Sequence, residues 1–290
     1  MVTTQAAAGQ RRGLARTLKP WFHPATVFAA VLCGMASLGC WAAAERPVAP
    51  PDFTGSVAGL AFSPFHRGES PEGNTYPSRA EIESDLAQAA AMTGQIRTYT
   101  VQGVLGEIPD IAQKYPLRIT LGAWLDRNLT ANDAEITRLI TVARSHGNVD
   151  RVLVGNETVL RRDLTPEQLI GYIRRVKAAV RVPVSTAEPW HVWLDDPALA
   201  QAVDVITIHL LPYWEGLPMD ASLRFIMEKL ELVQAQYPGK PVVIGEVGWP
   251  SDGVAIGGAR ASRINQALFL RKFFNEAALR HLEYFVMEAF

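Results

Sequence analysis

The run PVVIGEVGWPS, Pro241 to Ser251, decides how the rest of the chain is read. Val242, Val243 and Ile244 are apolar without alternation, the pattern of a strand covered on both faces. The run then delivers a carboxylate, Glu246, where the apolar residues stop. A buried charge costs several kcal/mol unless it is paired or solvated. A carboxylate in that place needs a partner, solvent or a task.

Seven further runs of the same kind can be traced outward from it. They are SVAGLAF (56–62), QIRTYT (95–100), LRITLGAW (117–124), RVLVGN (151–156), VPVSTA (182–187), VDVITIH (203–209) and YFVMEAF (284–290). Helical segments with readable ends lie between them. Ser78-Arg79-Ala80-Glu81 is a capping box followed by Ile82, Leu86 and Ala90, and Gly94 stops the pattern. Thr165-Pro166-Glu167-Gln168 is a second box with proline at the first helical position. Leu169, Ile173, Val176 and Val180 form its apolar face. Leu223, Ile226, Met227 and Leu230 form another, closed by Pro238-Gly239, and Ile264, Leu268 and Leu279 mark the last long helix. Strands alternating with helices over about 240 residues predict a (β/α)8 barrel. An open doubly wound sheet is the alternative, but no glycine-rich phosphate loop follows the first strand, and GVAIGG near Gly253 lacks the strand–turn–helix setting. The sequence reaches Phe290 inside strand eight with no eighth helix, so a continuation beyond it, or another element over strands eight and one, is expected.

The chain has 290 residues, a formal net charge of -1 and no run of Lys or Arg in the barrel region, which speaks against a nucleic-acid surface. Its first fifty residues differ from the rest. Arg11, Arg12, Arg16 and Lys19 precede the uncharged stretch Ala25 to Ala44, long enough to span a bilayer with the basic side in the cytoplasm. The organisation expected is a basic N-terminus (1–24), a membrane anchor or signal segment (25–44), a Pro-rich linker (45–52) and the barrel (53–290). A core helix is the bland reading of 25–44. The length favours an anchor; the Ala42-Ala43-Ala44 triplet before Glu45 fits a cleaved signal instead. Both cysteines, Cys33 and Cys40, fall in this segment, so the barrel has no disulfide and no thiolate ligand. Six scattered histidines show no metal-ligand spacing, and no P-loop, His-Glu-x-x-His or Gly-x-Ser-x-Gly motif occurs. No metal or cofactor is expected.

In a barrel of this type the C-terminal strand ends converge on one mouth. Glu157 follows strand four in VLVGNE, and Glu246 ends strand seven, so both side chains reach one substrate there. Either Glu alone reads equally well as a salt-bridged rim residue. The pair reads as two catalytic carboxylates.

VGNE and GEVGWPS resemble the acid/base and nucleophile motifs of glycoside hydrolase family 17, the β-1,3-glucanase family. IRTY, GAWLD and VPVSTAEPW are similar to its second, third and fifth strands, and the likeness extends over most of Gly55 to Phe290. The resemblance implies a retaining β-1,3-glucan hydrolase or transglycosylase, with Glu157 as acid/base and Glu246 as nucleophile. It implies that Asn156 bonds the sugar 2-hydroxyl and that Tyr99 stands near the carboxylates. Trp249 is expected to offer a stacking face, and Tyr213 and Trp214 to line further glucosyl subsites. His209 stands where plant members carry an aromatic residue and is read as a satisfied interior histidine. Glu188, Trp190 and Glu288 are cleft residues without a task. An ordinary Glu is protonated only about 0.2% of the time at pH 7. Glu157 is therefore expected to have its pKa raised, to roughly 6, by burial and by ionised Glu246.

Bacterial members resembling this chain sit beside membrane-bound glycosyltransferase machinery. The resemblance thus implies a barrel held at the bacterial inner membrane and facing the periplasm, or secreted if the signal is cleaved. Its partners would be β-glucan, the membrane and a glycosyltransferase, with transfer favoured over hydrolysis. The alternatives are a noncatalytic glucan-binding barrel and a secreted glucan-degrading hydrolase.

Overall fold

A computed structural model describes residues 23–44, 50–71 and 73–289, in two compact units, Met1–Ala49 and Pro50–Phe290. In the first, α1 (Pro24–Ala44) is 21 residues long and carries no charged side chain. At 1.5 Å per residue it extends about 30 Å, the thickness of a hydrocarbon core. Residues 1–22, with the basic cluster, and 45–49 of the Pro-rich linker lie outside the described residues.

In the second unit, eight parallel strands close into a barrel in sequence order. They are β1 (Leu60–Phe62), β2 (Gln95–Arg97), β3 (Arg118–Ala123), β4 (Val149–Asn156), β5 (Val184–Pro189), β6 (Ile206–Leu210), β7 (Val242–Val247) and β8 (Tyr284–Ala289). The (β/α)8 expectation is borne out, although β1 keeps only the last three residues of its expected run. The helices between strands are α2 (Arg79–Met92), α3 (Ile108–Ile111), α4 (Leu129–Ser145), α5 (Pro166–Lys177), α6 (Trp190–Asp195), α7 (Pro197–Ala202), α8 (Met219–Gln236) and α9 (Arg263–Leu279).

Both capping boxes form. The Ser78 side chain accepts from the Glu81 N–H while Glu81 reaches back, and Thr165 and Gln168 do the same at α5. Each satisfies two otherwise orphaned donors of a helix start. Within the barrel the inward layer is small and polar: Ser185 donates to Val205 O at 2.6 Å, and Thr207 donates to Ser185 at 2.9 Å.

The last helix forms where Ile264, Leu268 and Leu279 marked it. Ile264 and Leu279 are exposed, and the buried face is Phe269, Phe273 and Ala277. Phe273 meets Tyr284 of β8 edge-on at 4.9 Å, and large rings recruit the helix face. The segment leading into β1 lies along the same helix: Phe53 packs on Phe274 at 5.3 Å, and Asp52 pairs with Arg271 at 2.9 Å. Phe273→Ala should therefore cost about 3–5 kcal/mol in chemical denaturation. Ile264→Ala should stay within about 0.5 kcal/mol. Equal losses would contradict the observed face.

Candidate active site

β2 ends on a charged residue in an otherwise apolar setting. Arg97 is 1% exposed, and its guanidinium crosses the barrel interior. Nη1 donates to Gly245 O at 2.6 Å and to Glu246 Oε1 at 3.0 Å, and Nη2 donates to Asn156 Oδ1. One cation therefore ties the ends of β2, β4 and β7 together. Gly245 is glycine for a steric reason: a Cβ there would lie 2.5 Å from Thr207 Cγ2 and 3.2 Å from His209 Cδ2.

Glu246 sits near the end of β7, 4% exposed. The ladder between β6 and β7 shifts register after Ile208, which sets His209 directly opposite Glu246. Glu157 leaves β4 through a tight turn with Gly155 at φ +86° and Glu157 itself at +51°. A non-glycine residue in the left-handed region is strained and needs support. Support comes from several sides. The Glu157 N–H donates to Ala187 O at 2.7 Å. Arg161 donates to Asn156 O and, at 2.9 Å, to Leu125 O. Glu188, fully buried, accepts from the N–H groups of Val159 at 2.8 Å and Leu160 at 3.2 Å.

The two carboxylates meet around His209. Its Nδ1 is 2.8 Å from Glu157 Oε1 and its Nε2 is 3.6 Å from Glu246 Oε1. One oxygen of each Glu and one ring nitrogen lie within 4.8 Å of one another. Such spacing also brings a divalent ion to mind, but the Arg97 guanidinium already balances Glu246 and opposes a second cation. The site has the form of a carboxylate pair bridged by an imidazole, able to protonate one atom and attack its neighbour.

The raised pKa expected for Glu157 is corrected. Burial pushes this carboxyl up, but the hydrogen bond and charge of His209, with Arg161 and Arg97 behind them, bring it below the ordinary value. The carboxyl beneath the Glu157 turn, Glu188, is raised. Burial pushes it to about 7 against the pull of the two N–H groups, and the charge of Glu157 adds to the rise.

The remaining expected site residues divide. Tyr99 stands under the Arg97 guanidinium at 4.8 Å from its ring centroid. Its hydroxyl is buried, and burial, followed by the charge of Glu246, holds the phenol well above its usual pKa. Asn156 is buried with its carbonyl on Arg97.

Trp249 is corrected as a stacking platform. It is 2% exposed, packed between Tyr213 and Phe269, with Nε1 donating to Arg260 O at 3.0 Å. Tyr213 is likewise mostly buried and donates to Val254 O, so it braces the loop after β7, and it still lines the same cleft as Trp214. Trp214 is the exposed ring, at 66%. Together with Asp252, Gln266 and Glu288 it lines a cleft of about 510 Å³ that follows β7. Glu188 lies beneath the Glu157 turn, outside the cleft, and Trp190 bonds Glu215 at 3.0 Å on the rim.

Sequence reasoning left Arg97 unassigned; His209 is the interior histidine expected, with Nδ1 bonded to Glu157 and Nε2 without a hydrogen bond. The available signal was an arginine inside the buried run QIRTYT, which must find an anion. Arg97→Met, which leaves Glu246 buried without its cation, should destabilise the fold by about 3–5 kcal/mol in denaturant titration. A variant as stable as the parent would show that the pair is not the tie described.

Residues 59–290 match the BtgE/BtgC glycoside hydrolase domain. The chain is 27% identical over 240 residues to a probable β-glucosidase, btgE, of Aspergillus clavatus, covering 79% of this chain and 42% of that protein. The chain thus spans less than half the length of that relative. Among solved structures it is similar to the glycoside hydrolase family 17 β-1,3-glucanosyltransferase of Rhizomucor miehei, with a TM-score of 0.70 and 26% identity over 80% of this chain and 85% of the other. An active-site mutant of the Rhizomucor miehei β-1,3-glucanosyltransferase in complex with laminaritriose matches with a TM-score of 0.72 and 26% identity, covering 80% of this chain and 86% of that one. With four-fifths of its length matched by the family model, this chain belongs to the BtgE/BtgC glycoside hydrolase domain family.

Proposed function

We propose that the barrel is a retaining enzyme that opens β-1,3-glucosidic bonds through a covalent glucosyl intermediate on Glu246, with Glu157 as acid and then base. The observation that carries this reading is the spacing of the two carboxylates, whose oxygens approach within 4.8 Å across His209. Retaining glycosidases hold their carboxyl groups about 5–5.5 Å apart, whereas inverting ones leave about 6.5–9.5 Å for a water. The linkage is taken from the relatives: the Rhizomucor miehei enzyme is a β-1,3-glucanosyltransferase, and its mutant binds laminaritriose.

The chain's own residues support the steps. Arg97 holds Glu246 at 3.0 Å and fixes the Asn156 carbonyl, which leaves the Asn156 amide hydrogens to donate to the sugar 2-hydroxyl. The buried Tyr99 hydroxyl, within reach of the charge of Glu246, bonds near the reacting carbon. Trp214 offers its open face to a further glucosyl ring. Transfer to a second sugar is favoured over hydrolysis, on the likeness to the glucanosyltransferase.

The reading extends to location. α1 anchors the chain in a bacterial inner membrane with the barrel on the periplasmic side, beside a glycosyltransferase that makes the glucan. Support for the anchor is the uncharged 21-residue helix behind four basic residues. The glycosyltransferase rests on the resemblance to bacterial members alone.

Incubation of the full chain with a β-1,3-linked glucose oligosaccharide, followed by sizing, should give both shorter and longer products. Glu246→Ala and Glu157→Gln should each lower turnover by about 10²-fold or more while the melting curve stays cooperative. Unchanged oligosaccharide with the parent chain would favour a binding module, and shorter products alone would favour hydrolysis.

A further inference from the structure

His209 reaches both carboxylates from β6. It is 2% exposed, so its hydrogen bonds go to protein groups. Nδ1 lies 2.8 Å from Glu157 Oε1 and Nε2 lies 3.6 Å from Glu246 Oε1, which leaves Nε2 buried without a hydrogen bond. The other charged or titratable groups around it come from every neighbouring strand end. Arg97 approaches from β2, with Tyr99 just after it, Glu188 stands on β5, and Arg161 backs the Glu157 turn. The ring thus spans the gap between the group that must release a proton and the group that must carry negative charge.

We propose that His209 is the positioning residue for the Glu157 proton: its ring N–H holds the carboxylate that Glu157 becomes when the leaving oxygen takes that proton. This rests on the reading of Glu157 as acid/base. In the first step the glycosidic C–O bond breaks and its electron pair stays with the leaving oxygen. That oxygen takes the proton of Glu157, and an oxygen of Glu246 bonds the anomeric carbon. Negative charge therefore passes from Glu246 to Glu157, from one end of the imidazole to the other. A hydrogen on Nδ1 then meets a charged oxygen at hydrogen-bond distance, while Nε2 faces an uncharged ester. In the second step the acceptor hydroxyl oxygen bonds the anomeric carbon and Glu157 takes its proton, while the bond from that carbon to Glu246 breaks and its electron pair returns the charge to Glu246. The same contact accounts for the low setting of the Glu157 carboxyl. Burial alone pushes it up, and the hydrogen bond from His209 is the foremost interaction in the opposite direction.

The consequence has a definite sign. Bond cleavage needs Glu157 protonated, so the upper-pH limb of kcat/KM follows the loss of that proton. Removing His209 leaves the burial and takes away the hydrogen bond, so the limb should move to higher pH. Profiles of kcat/KM against pH on a β-1,3-linked oligosaccharide should be measured for the parent chain, His209→Phe and His209→Gln. Phenylalanine keeps a ring without an N–H, and glutamine restores an N–H donor. The limb should rise by about one pH unit or more with phenylalanine, tenfold in proton affinity. It should return toward the parent with glutamine. A phenylalanine limb that stays in place or falls overturns the proposal, whatever the loss of kcat.

Carbon-13 titration of the Glu157 carboxyl in the parent chain decides the matter should the phenylalanine variant not fold. A value below that of an ordinary Glu is expected, and one above it overturns the proposal. The underlying reading is tested apart. Glu157→Ala should still cleave an aryl β-1,3-glucoside whose phenolate leaves without a proton, with azide restoring turnover. If that holds and the His209 limb does not move, the role of His209 fails alone. If Glu157→Ala shows no such selectivity, the acid/base reading fails beneath it.

Discussion

A guanidinium enclosed in a barrel must have an anion, and the arrangement of this mouth follows from where Arg97 finds one. Its hydrogen bonds run to Glu246 and Gly245 on β7 and to Asn156 at the end of β4. A carboxylate left alone at the end of an apolar strand would be strongly disfavoured. Pairing with Arg97 makes it tolerable and also fixes its direction. Positions on three strands are thereby locked to one another before any substrate arrives, which is the preorganisation that catalysis at a strand-end site requires. Glycine at 245 follows from the same crowding, since a side chain there would strike Thr207 and His209.

Two carboxylates in one cleft need different environments if they are to do different work. Glu246 is nearly enclosed and faces Arg97, whereas Glu157 is half-buried on a left-handed turn and faces His209. A third carboxyl, Glu188, supports that turn from below and is the one that burial drives to about 7. The distribution differs from the simplest picture, in which repulsion between the two cleft carboxylates raises the acid. Here cations and an imidazole surround the pair, and the proton of Glu157 is governed through His209. Strain in the turn is held by contacts outside the chemistry, from Ala187, Arg161 and Glu188.

Much of the scaffold was legible in the sequence because its signals are local. Capping boxes at Ser78 and Thr165 depend on four consecutive residues, and both formed. The eight apolar runs marked all eight strands, and two of them ended on Glu157 and Glu246, which the barrel brings to one mouth. Features that depend on contacts across the barrel were not legible. Arg97 is distant in sequence from both Asn156 and Glu246, and a parallel strand buried on both faces gives no parity to show which side chains point inward. Among the rim aromatics, the stacking face of Trp249 was misjudged for a similar reason. Trp249 and Tyr213 pack into the ring cluster with Phe269, while Trp214, their neighbour, stays open. On α9 the sequence marked the helix, and the phenylalanines set the face that packs against β8.

The central claim is that a sugar ring becomes covalently attached to Glu246. Incubating the full chain with a 2-deoxy-2-fluoro β-glucosyl donor that carries a good leaving group slows breakdown of such an intermediate. Mass spectrometry of the digested protein then reads the attachment site. The expected result is a single fluoroglucosyl adduct on the peptide that contains Glu246. An adduct on another residue, or no adduct together with products of inverted anomeric configuration, would contradict it.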